Sequence, residues 1–221
     1  GVVALLCVAG GPVLARLGIL PAMGGFLVYA LGGFLGLITL IGAVITAVRR
    51  GMAPARSALA IGAILSGIFV MSALPGRSVP RINDITTDTD NPPKFVHAGT
   101  LAANRGRDMS YPGIEFATQQ KAGYPTLAPL RLPVGIDEAF RRVEAAARDM
   151  AEWELTRVDL GTHSIEGVAT TALFRFQDDF VIEVRPEANG SAVHMRSKSR
   201  DGKGDLGANA ARIEAFFAKL R

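Results

Sequence analysis

The first third of the chain is almost entirely apolar, and it contains two long stretches without any charged side chain. These stretches are 32 and 20 residues long. A helix needs about 20 apolar residues to cross a hydrocarbon core about 30 Å thick. The pattern therefore predicts two clear membrane-spanning helices, one over residues 26–48 and one over residues 57–75.

The segment that precedes them, residues 1–15, is equally apolar but shorter. Fifteen residues of helix extend only about 22 Å, and Gly10, Gly11 and Pro12 fall inside the segment. We expect this segment to form the outer part of a first, partial span. A re-entrant or interfacial segment is the alternative that the pattern leaves open.

The last third of the chain shows helical and strand periodicity in turn. Apolar residues recur every three or four positions over 136–150 and again over 206–220, which predicts two amphipathic helices. Between them, apolar runs separated by turn residues predict strands over 153–160, 164–171 and 180–186, with another after an Asn189-Gly190 turn. The predicted fold class is therefore α+β: transmembrane helices, then an antiparallel sheet with two amphipathic helices on one face.

The Asn189-Gly190 pair also predicts a strand register, because both residues favour positive φ in a two-residue hairpin. With these two residues as the turn, Glu183 lies opposite Arg196. One face of the hairpin then carries apolar side chains and the other carries charged ones. Pairing between Glu183 and Arg196 accounts for the charges on the second face.

Between the spans and this domain, residues 77–133 contain many prolines and no long periodic segment. So long a stretch without regular structure is uncommon in a compact domain. We therefore expect it to wrap around the domain through aromatic anchors, with a short helix near 114–122. The anchors are Phe95, Tyr111, Phe116 and Tyr124. The predicted organisation is an anchor over 1–76, an irregular wrapping segment over 77–133 and an α+β domain over 134–221.

The net charge of +4 belongs entirely to the apolar third. Residues 1–75 hold four arginines and no acidic residue, which leaves 20 basic and 20 acidic groups in the rest of the chain. Such a balanced domain does not favour nucleic acid as a partner. Three of the four arginines lie in the short loop Arg49–Arg56, and short basic loops remain in the cytoplasm. The sequence thus predicts a protein of the bacterial inner membrane with this loop in the cytoplasm and residues 77–221 in the periplasm, although Arg16 is a single cation on the far side.

Small residues recur at four-residue spacing within the predicted spans. Such rows let helix backbones approach closely in lipid. They predict either packing among the chain's own helices or a docking face for another integral membrane subunit. No Asp, Glu, His or Lys lies in the spans, which disfavours ion or proton transport. The helix-packing candidates are Gly32, Gly36, Ala58, Gly62 and Ser66.

Asp84, Asp88 and Asp90 lie close together in sequence and are weak candidates for a metal site. Their spacing lacks the central glycine and the distal glutamate of an EF-hand loop. Aspartates beside threonine and proline more often form side-chain-to-backbone turns. The three histidines are far apart in sequence, and no phosphate-binding motif is present, so we predict no cofactor.

The strongest binding candidates are six basic residues near the C-terminus. They could contact lipid headgroups, an acidic partner or an anionic ligand. The alternative is a solvated strand edge whose charge is offset by nearby acidic residues. The candidates are Arg185, His194, Arg196, Lys198, Arg200 and Lys203.

Several short motifs resemble one known family. The likeness begins with RINDITTDTDNPP (81–93) and continues with IEGVATT (165–171), FQDD (176–179), RPE (185–187), RSKSR (196–200) and DLGANAARI (205–213). Over roughly residues 80–220 the chain resembles the bacterial and plant family catalogued as domain of unknown function 1499. The resemblance implies a domain that follows hydrophobic helices in proteobacterial members, and it implies no catalytic residues. The run Phe174-Arg175-Phe176 is more basic than the aromatic run usual there.

No catalytic constellation accompanies these motifs. A Gly-x-Ser-x-Gly elbow is missing, and the single cysteine, Cys7, lies in the anchor. The sequence predicts a non-enzymatic integral membrane protein that serves as an accessory, stabilising or scaffold subunit of a larger inner-membrane complex, for example a respiratory or photosynthetic one. Its expected partners are membrane lipids and other integral membrane subunits. The alternative is a membrane-tethered periplasmic module that binds a lipid or another small apolar or anionic ligand.

Overall fold

A computed structural model describes residues 1–74, 76 and 78–221 of the chain. The chain divides into two compact units. The first comprises the N-terminal residues as far as position 77 together with Thr171–Phe176, and the second comprises Ser78–Thr170 and Gln177–Arg221. The predicted ends of the third span and of the anchor, around Pro75 and Arg77, lie outside the described residues.

Among its described residues the first unit has three α-helices: α1 (Val2–Arg16), α2 (Ala22–Arg50) and α3 (Arg56–Ala73). α2 and the stretch Ala53–Ser72 are long and apolar enough to cross a membrane, with mean hydropathies of 2.2 and 1.6 over an 18-residue window of each. α1 is also apolar, but its 15 residues fall short of that length. Two helices with the length and composition of spans and a third, shorter one agree with the prediction.

The surfaces of these helices are apolar and exposed. In the 18-residue apolar window of α2, only 22% of the residues are buried, and the share is the same in the window of the stretch Ala53–Ser72. Leu27, Ile41 and Ile64 are each at least 60% exposed. Soluble domains expose large apolar side chains singly rather than along whole helices. The exposed surface is therefore consistent with association with a membrane.

Glycines allow the three helices to touch backbone to backbone. A Cβ on Gly32 would lie 2.6 Å from the amide nitrogen of Val8 in α1. A Cβ on Gly62 would lie 2.7 Å from the amide nitrogen of Leu40 in α2. These distances leave no room for a side chain, so both glycines serve contacts within the chain.

Two other predicted packing residues lie at the contact between α2 and α3. A Cβ on Gly36 would lie 3.4 Å from the amide nitrogen of Ser66, which is itself buried. Ala58 is half-buried. Nearby, the hydroxyl of Tyr29 in α2 lies 3.0 Å from that of Ser72 in α3. Four of the five small residues thus contact helices of the same chain.

The described residues of the second unit form one antiparallel sheet of six strands. The order is β1-β6-β5-β4-β3, and β2 pairs with β6 on the same edge as β1. The strands are β1 (Asp84–Thr86), β2 (Leu130–Leu132), β3 (Trp153–Asp159), β4 (Ser164–Thr170), β5 (Gln177–Glu187) and β6 (Gly190–Ser199).

Three helices accompany these strands: α4 (Ile114–Gly123), α5 (Ile136–Arg148) and α6 (Ala208–Leu220). α5 and α6 pack on one face of the sheet and bury Phe140 and Phe216 against it. The ring of Trp153 lies 4.2 Å from that of Phe180 and 5.3 Å from that of Phe216, between centroids. The prediction of an α+β fold with two amphipathic helices on one face is confirmed.

The β5–β6 hairpin turns one residue earlier than the sequence predicts. Glu187 pairs with Gly190, so the central residues of the turn are Ala188 and Asn189. Gly190 is instead the first residue of β6, with φ of 134°. β2 passes directly beside it, and the Leu132 carbonyl leaves no space for a Cβ there. The glycine therefore serves the approach of an edge strand and not the turn.

This shift corrects the predicted cross-strand pair. Glu183 lies opposite His194, whereas Arg196 lies opposite Val181. The predicted pairing of Glu183 with Arg196 is wrong. The register moves by two residues, and because side chains alternate with a period of two, each one keeps its predicted face.

Candidate functional site

Charged side chains occupy the face of the sheet opposite α5 and α6, and the chain folds over them. They project from alternate positions of β4, β5 and β6, as the strand period requires. Residues 88–111, which we call the covering segment, lie over them and contribute hydrogen-bond partners. We call this polar layer the covered face. Its charged members are Glu166, Asp179, Glu183, Arg185, His194, Arg196 and Lys198.

Arg196 is 2% exposed and joins several parts of the second unit. Its Nε and Nη2 donate to the two carboxylate oxygens of Asp84, each at 2.8 Å. Nη1 donates to the carbonyl of Pro93 at 3.3 Å, and Nη2 donates to that of Met109 at 3.0 Å. One guanidinium therefore connects β1, β6 and two points of the covering segment. Burying such a pair is tolerated because these bonds replace the lost water.

The same guanidinium lies close to two aromatic rings. Its Cζ is 4.8 Å from the ring centroid of Phe95 and 5.5 Å from that of Tyr111. Both distances allow a cation–π interaction. Nζ of Lys198 also donates to Asp84, at 2.8 Å. One buried carboxylate thus faces two cations, and positive charge remains beneath the rings.

Glu166 fastens the covering segment at a second point. Its Oε1 accepts hydrogen bonds from the backbone amides of Val96 and His97, at 2.9 and 2.8 Å. Its Oε2 accepts one from the amide of Ala98 at 2.8 Å. The side chain is 2% exposed. A buried carboxylate is stabilised here by backbone dipoles that converge on it at a tight turn.

Asp179 fastens the segment at a third point. It is fully buried and accepts from Nη2 of Arg200 at 2.7 Å. Nδ2 of Asn104 and Nη1 of Arg107, both in the covering segment, donate to its Oδ2 at 3.0 and 3.2 Å. Nη2 of Arg107 also donates to the carbonyl of Ser199 at 2.6 Å. The carboxylate holds a turn of the segment against the end of the hairpin.

Arg185 forms the fourth attachment. Its guanidinium donates to Glu183 at 2.6 Å, to Asp88 at 3.1 Å and to the carbonyl of Asn91 at 3.0 Å. Nδ1 of His194 lies 3.5 Å from the Asp88 carboxylate. Burial, and then the positive charge of Arg185, lower the pKa of His194 below its usual value, although Asp88 and Glu183 oppose this effect.

A pocket of about 400 Å³ opens at the edge of the covered face. Burial, and then the negative charge of Asp84, raise the pKa of Tyr111 to about 12, so its hydroxyl remains a protonated donor at neutral pH. Lys94 is exposed at the pocket, and Arg196 lies at its base. The lining therefore combines aromatic surface with positive charge. It comprises Pro92, Lys94, Phe95, Met109, Ser110, Tyr111 and Arg196.

A separate polar cluster lies on the opposite face, where α6 begins. Nη2 of Arg212 donates to Asp178 at 2.5 Å. Asn209 is fully buried, with its Oδ1 accepting from Ser197 at 2.7 Å and its Nδ2 donating to Ser199 at 2.9 Å. These bonds fix the first turn of α6 against β6. Their partners all belong to the domain itself, so the cluster has a structural role.

The six predicted basic candidates fall into two groups. Five of them lie on or beside the covered face and have acidic neighbours there: Arg185, His194, Arg196, Lys198 and Arg200. Lys203 lies apart, in the exposed loop after β6. The structure therefore places most of these basic residues in ion pairs within the second unit. Arg196 also lines the pocket, at its base.

The three predicted aspartates do not converge. Asp84 is buried against Arg196 and Lys198. Oδ1 of Asp88 accepts from the amides of Asp90 and Asn91 at 3.2 and 2.9 Å, which forms a local turn. Within the described part of the chain, no group of three His, Cys, Asp or Glu side chains is placed to hold a metal ion.

Sequence reasoning missed Glu166 and the pair of Asn104 and Arg107. Glu166 lies in β4, and its side chain points to the face of the sheet opposite α5 and α6. Nearby residues of the strand, Ile165 and Val168, are apolar. A lone acidic residue in such a run signals a buried partner, but its partners here are backbone amides, which leave no mark in the sequence. Asn104 and Arg107 lie in a segment without periodicity, so nothing in the sequence directs them to Asp179.

We compared the chain with protein-family models and with curated proteins. No curated protein matches the chain. The model of one family, described as Protein of unknown function (DUF1499), matches residues 84–220, which is more than half of the chain and includes the sheet, the covering segment and α6. The protein therefore belongs to this family.

Proposed function

We propose that the protein is a non-enzymatic, membrane-anchored accessory or scaffold subunit of a larger inner-membrane complex. α2 and α3 span the bilayer, the Arg49–Arg56 loop lies in the cytoplasm, and residues 77–221 lie in the periplasm. Its partners are lipids and other integral membrane subunits, and nucleic acid is not among them. The exposed apolar surface of α2 and α3 and the arginines of the short loop support this proposal.

The main support for the proposal comes from two glycines that lie outside the helix contacts of the described chain. Gly42 in α2 and Gly67 in α3 are exposed, and among the described residues nothing lies within 4 Å of a Cβ built on either. Glycine weakens a helix by about 1 kcal/mol relative to alanine. Among the described residues, no other helix packs against the open side of either glycine to offset that cost. A helix of another subunit can approach closely at such a position.

Blue-native electrophoresis in mild detergent tests this proposal. We expect the protein to migrate in an assembly larger than a monomer, and Gly42→Leu or Gly67→Leu to release it, because a leucine blocks the close approach. Val48→Leu adds bulk at a position that is 82% exposed on α2 and is the matched control. Migration of the unsubstituted protein only as a free monomer contradicts the proposal.

Cysteine labelling tests the orientation. In a Cys7→Ser background, a cysteine at Met52, in the basic loop, is expected to resist a membrane-impermeant maleimide added to intact spheroplasts. A cysteine at Leu160, in the β3–β4 turn, is expected to react. Both positions are more than half exposed, so reagent access and not burial decides the outcome. The reverse pattern excludes the proposed orientation.

The pocket favours a second candidate, a tethered binding module. Phe95 and Tyr111 offer aromatic surface, while Lys94 and the buried Arg196 supply positive charge. A small ligand with an apolar or aromatic body and one anionic group fits this lining. Pockets of this volume bind small molecules when a few polar groups converge on apolar walls.

Native mass spectrometry of the full chain, released from native membranes, tests the second candidate. We expect a retained small molecule that Lys94→Glu removes, because the substitution reverses the charge at the pocket. Lys203→Glu makes the same change at an exposed loop outside the pocket and should retain the molecule. The absence of any retained molecule from the unsubstituted protein counts against the candidate.

A further inference from the structure

The six residues between β4 and β5, Thr171–Phe176, form a compact loop that belongs to the first unit. The amide of Thr171 donates to the carbonyl of Phe176 at 2.8 Å, and the amide of Phe176 donates to Oγ1 of Thr171 at 2.9 Å. Arg175 has φ of 64° and closes the loop with a hydrogen bond to the Thr171 carbonyl at 3.1 Å. These hydrogen bonds define the conformation of the loop, which presents the apolar side chains of Leu173 and Phe174.

Aromatic contacts fix the loop against the beginning of α2. The ring centroid of Phe174 lies 5.5 Å from that of Phe26 and 5.4 Å from that of Tyr29. Phe176 also contacts Phe26, at 6.2 Å. These edge-to-face arrangements are among the favoured geometries of aromatic pairs. The position of the loop along α2 is thus set by two defined residues of that helix.

A polar contact marks the same end of the unit. Nη1 of Arg16, the last residue of α1, donates to the carbonyl of Ala172 at 3.1 Å. Arginine side chains at the ends of membrane helices extend toward the headgroups and keep their charge in the polar layer. The loop is therefore held at the level where such a side chain is expected.

The length of α2 gives the depth of these contacts. Its 29 residues extend about 44 Å at 1.5 Å per residue, roughly 14 Å more than the hydrocarbon core. If the excess is shared equally, about 7 Å of helix lies in the headgroups at each side. Phe26 lies about 6 Å from the start of α2 and Tyr29 about 10 Å. The boundary between headgroups and acyl chains then falls between these two residues.

We propose that the loop Thr171–Phe176 lies in the interfacial layer of the bilayer and that Leu173 contacts lipid there. This inference rests on the proposed function, since it requires α2 to span the membrane. Leu173 is 56% exposed. Its neighbour Phe174 packs against Phe26, near the boundary between headgroups and acyl chains. Apolar side chains that lie in this layer contribute to membrane binding through the surface they bury. The bilayer surface is the occupant whose chemistry matches an exposed leucine beside an arginine and aromatic rings.

Quenching by brominated lipids tests the inference in the full chain, reconstituted into nanodiscs. Leu173→Trp introduces an indole at the loop, and the native Trp153, packed against Phe180, is a background measured on the unsubstituted protein. We expect lipids brominated at the upper part of the acyl chain to reduce the added fluorescence at least twofold. Leu160→Trp, at an exposed leucine in the β3–β4 turn, is the reference for an exposed turn position.

A third variant separates failure of this inference from failure of the proposed function. Ile38 is exposed near the middle of α2, so Ile38→Trp should be quenched most by lipids brominated deep in the chain. If that indole is quenched and the one at position 173 is not, the loop lies outside the bilayer and the inference is wrong. If neither is quenched, α2 does not span. An indole at position 173 that is shielded from brominated lipid and from aqueous iodide alike shows a protein partner, which also overturns the inference.

Discussion

Arg196 shows how the fold supplies partners to a charged side chain that it buries. Its hydrogen bonds reach Asp84 in β1 and the carbonyls of Pro93 and Met109 in the covering segment. Removing one partner of such a network leaves a charge buried without compensation, and this costs far more than an exposed pair contributes. The residue therefore serves the stability of the second unit more than it serves as a free binding group.

We expect Arg196→Lys to lower the free energy of unfolding by about 2–4 kcal/mol, because one ammonium cannot replace a bidentate guanidinium and its bonds to two carbonyls. Urea unfolding of the full chain in detergent measures the change. Arg131→Lys is the control, since Arg131 is exposed and pairs with Glu187 at the surface, and it should change stability by less than about 1 kcal/mol. Equal effects of the two substitutions would contradict the role assigned to Arg196.

His194 makes stability depend on pH. Burial and the charge of Arg185 lower the pKa of this imidazole in the folded protein. Between that lowered value and about 6.5, the unfolded chain binds more protons than the folded one, so stability falls as pH falls through this window. The slope from this one group is at most about 1.4 kcal/mol per pH unit.

We expect His194→Gln to flatten the decline of the free energy of unfolding between pH 7.5 and 5, as measured by urea unfolding. Unchanged slopes would refute this assignment.

At the scale of elements, the covering segment has little regular structure of its own, so contacts with the sheet hold it in place. Glu166, Asp179 and Arg185 bind it at different points along its length. Each of these side chains comes from a regular strand. The sheet is thus the rigid element, and the segment takes the conformation that satisfies the buried charges.

Glu166→Gln tests this dependence. The carboxamide keeps one acceptor oxygen, but its NH₂ group faces the amide of Ala98, which now lacks an acceptor. We expect faster hydrogen exchange at Val96, His97 and Ala98 and a loss of about 1–3 kcal/mol in stability. Glu154→Gln, on the exposed side of β3, is the control. Unchanged protection of these three amides would mean that Glu166 does not hold the segment.

The sequence predicted the long elements and missed the short ones. α5, with its apolar stripe, was found because its periodicity extends over several turns, and the helix expected near 114–122 is α4 (Ile114–Gly123). β1 and β2 have three residues each. Such short strands have no readable period, and they exist only because the edge of β6 offers unpaired backbone groups.

At the scale of the whole molecule, charge is distributed unequally between the two parts of the sequence. The N-terminal 75 residues contain arginine as their only charged residue type, and the remaining chain is balanced. In the proposed topology, the loop Arg49–Arg56 sets the orientation, since short basic loops resist translocation. In the domain, by contrast, many charges are engaged in ion pairs, and those of Arg185, Arg196 and Arg200 lie on or beside the covered face.

Replacing Arg49, Arg50 and Arg56 together by alanine is expected to produce a mixed orientation in the membrane, because it removes the positive loop while the apolar spans persist. The fraction of chains whose Leu160→Cys label reacts in intact spheroplasts should fall at least twofold. Arg16→Ala is the control and should leave that fraction high or raise it. An unchanged fraction in the triple variant would show that another feature determines orientation.

The sequence by itself determined the apolar helices, the α+β class, the family and the faces of β5 and β6, because these depend on composition, on short motifs and on periods of 3.6 and 2 that are local to the chain. The tertiary structure alone decided which charges are buried and what each one binds. Arg196 and Arg200 belong to the same basic run in the sequence, yet they pair with Asp84 and Asp179, which lie 112 and 21 residues away. Partners at such distances are chosen by the topology of the sheet and by the cost of leaving a buried charge unpaired, and neither is local to the sequence.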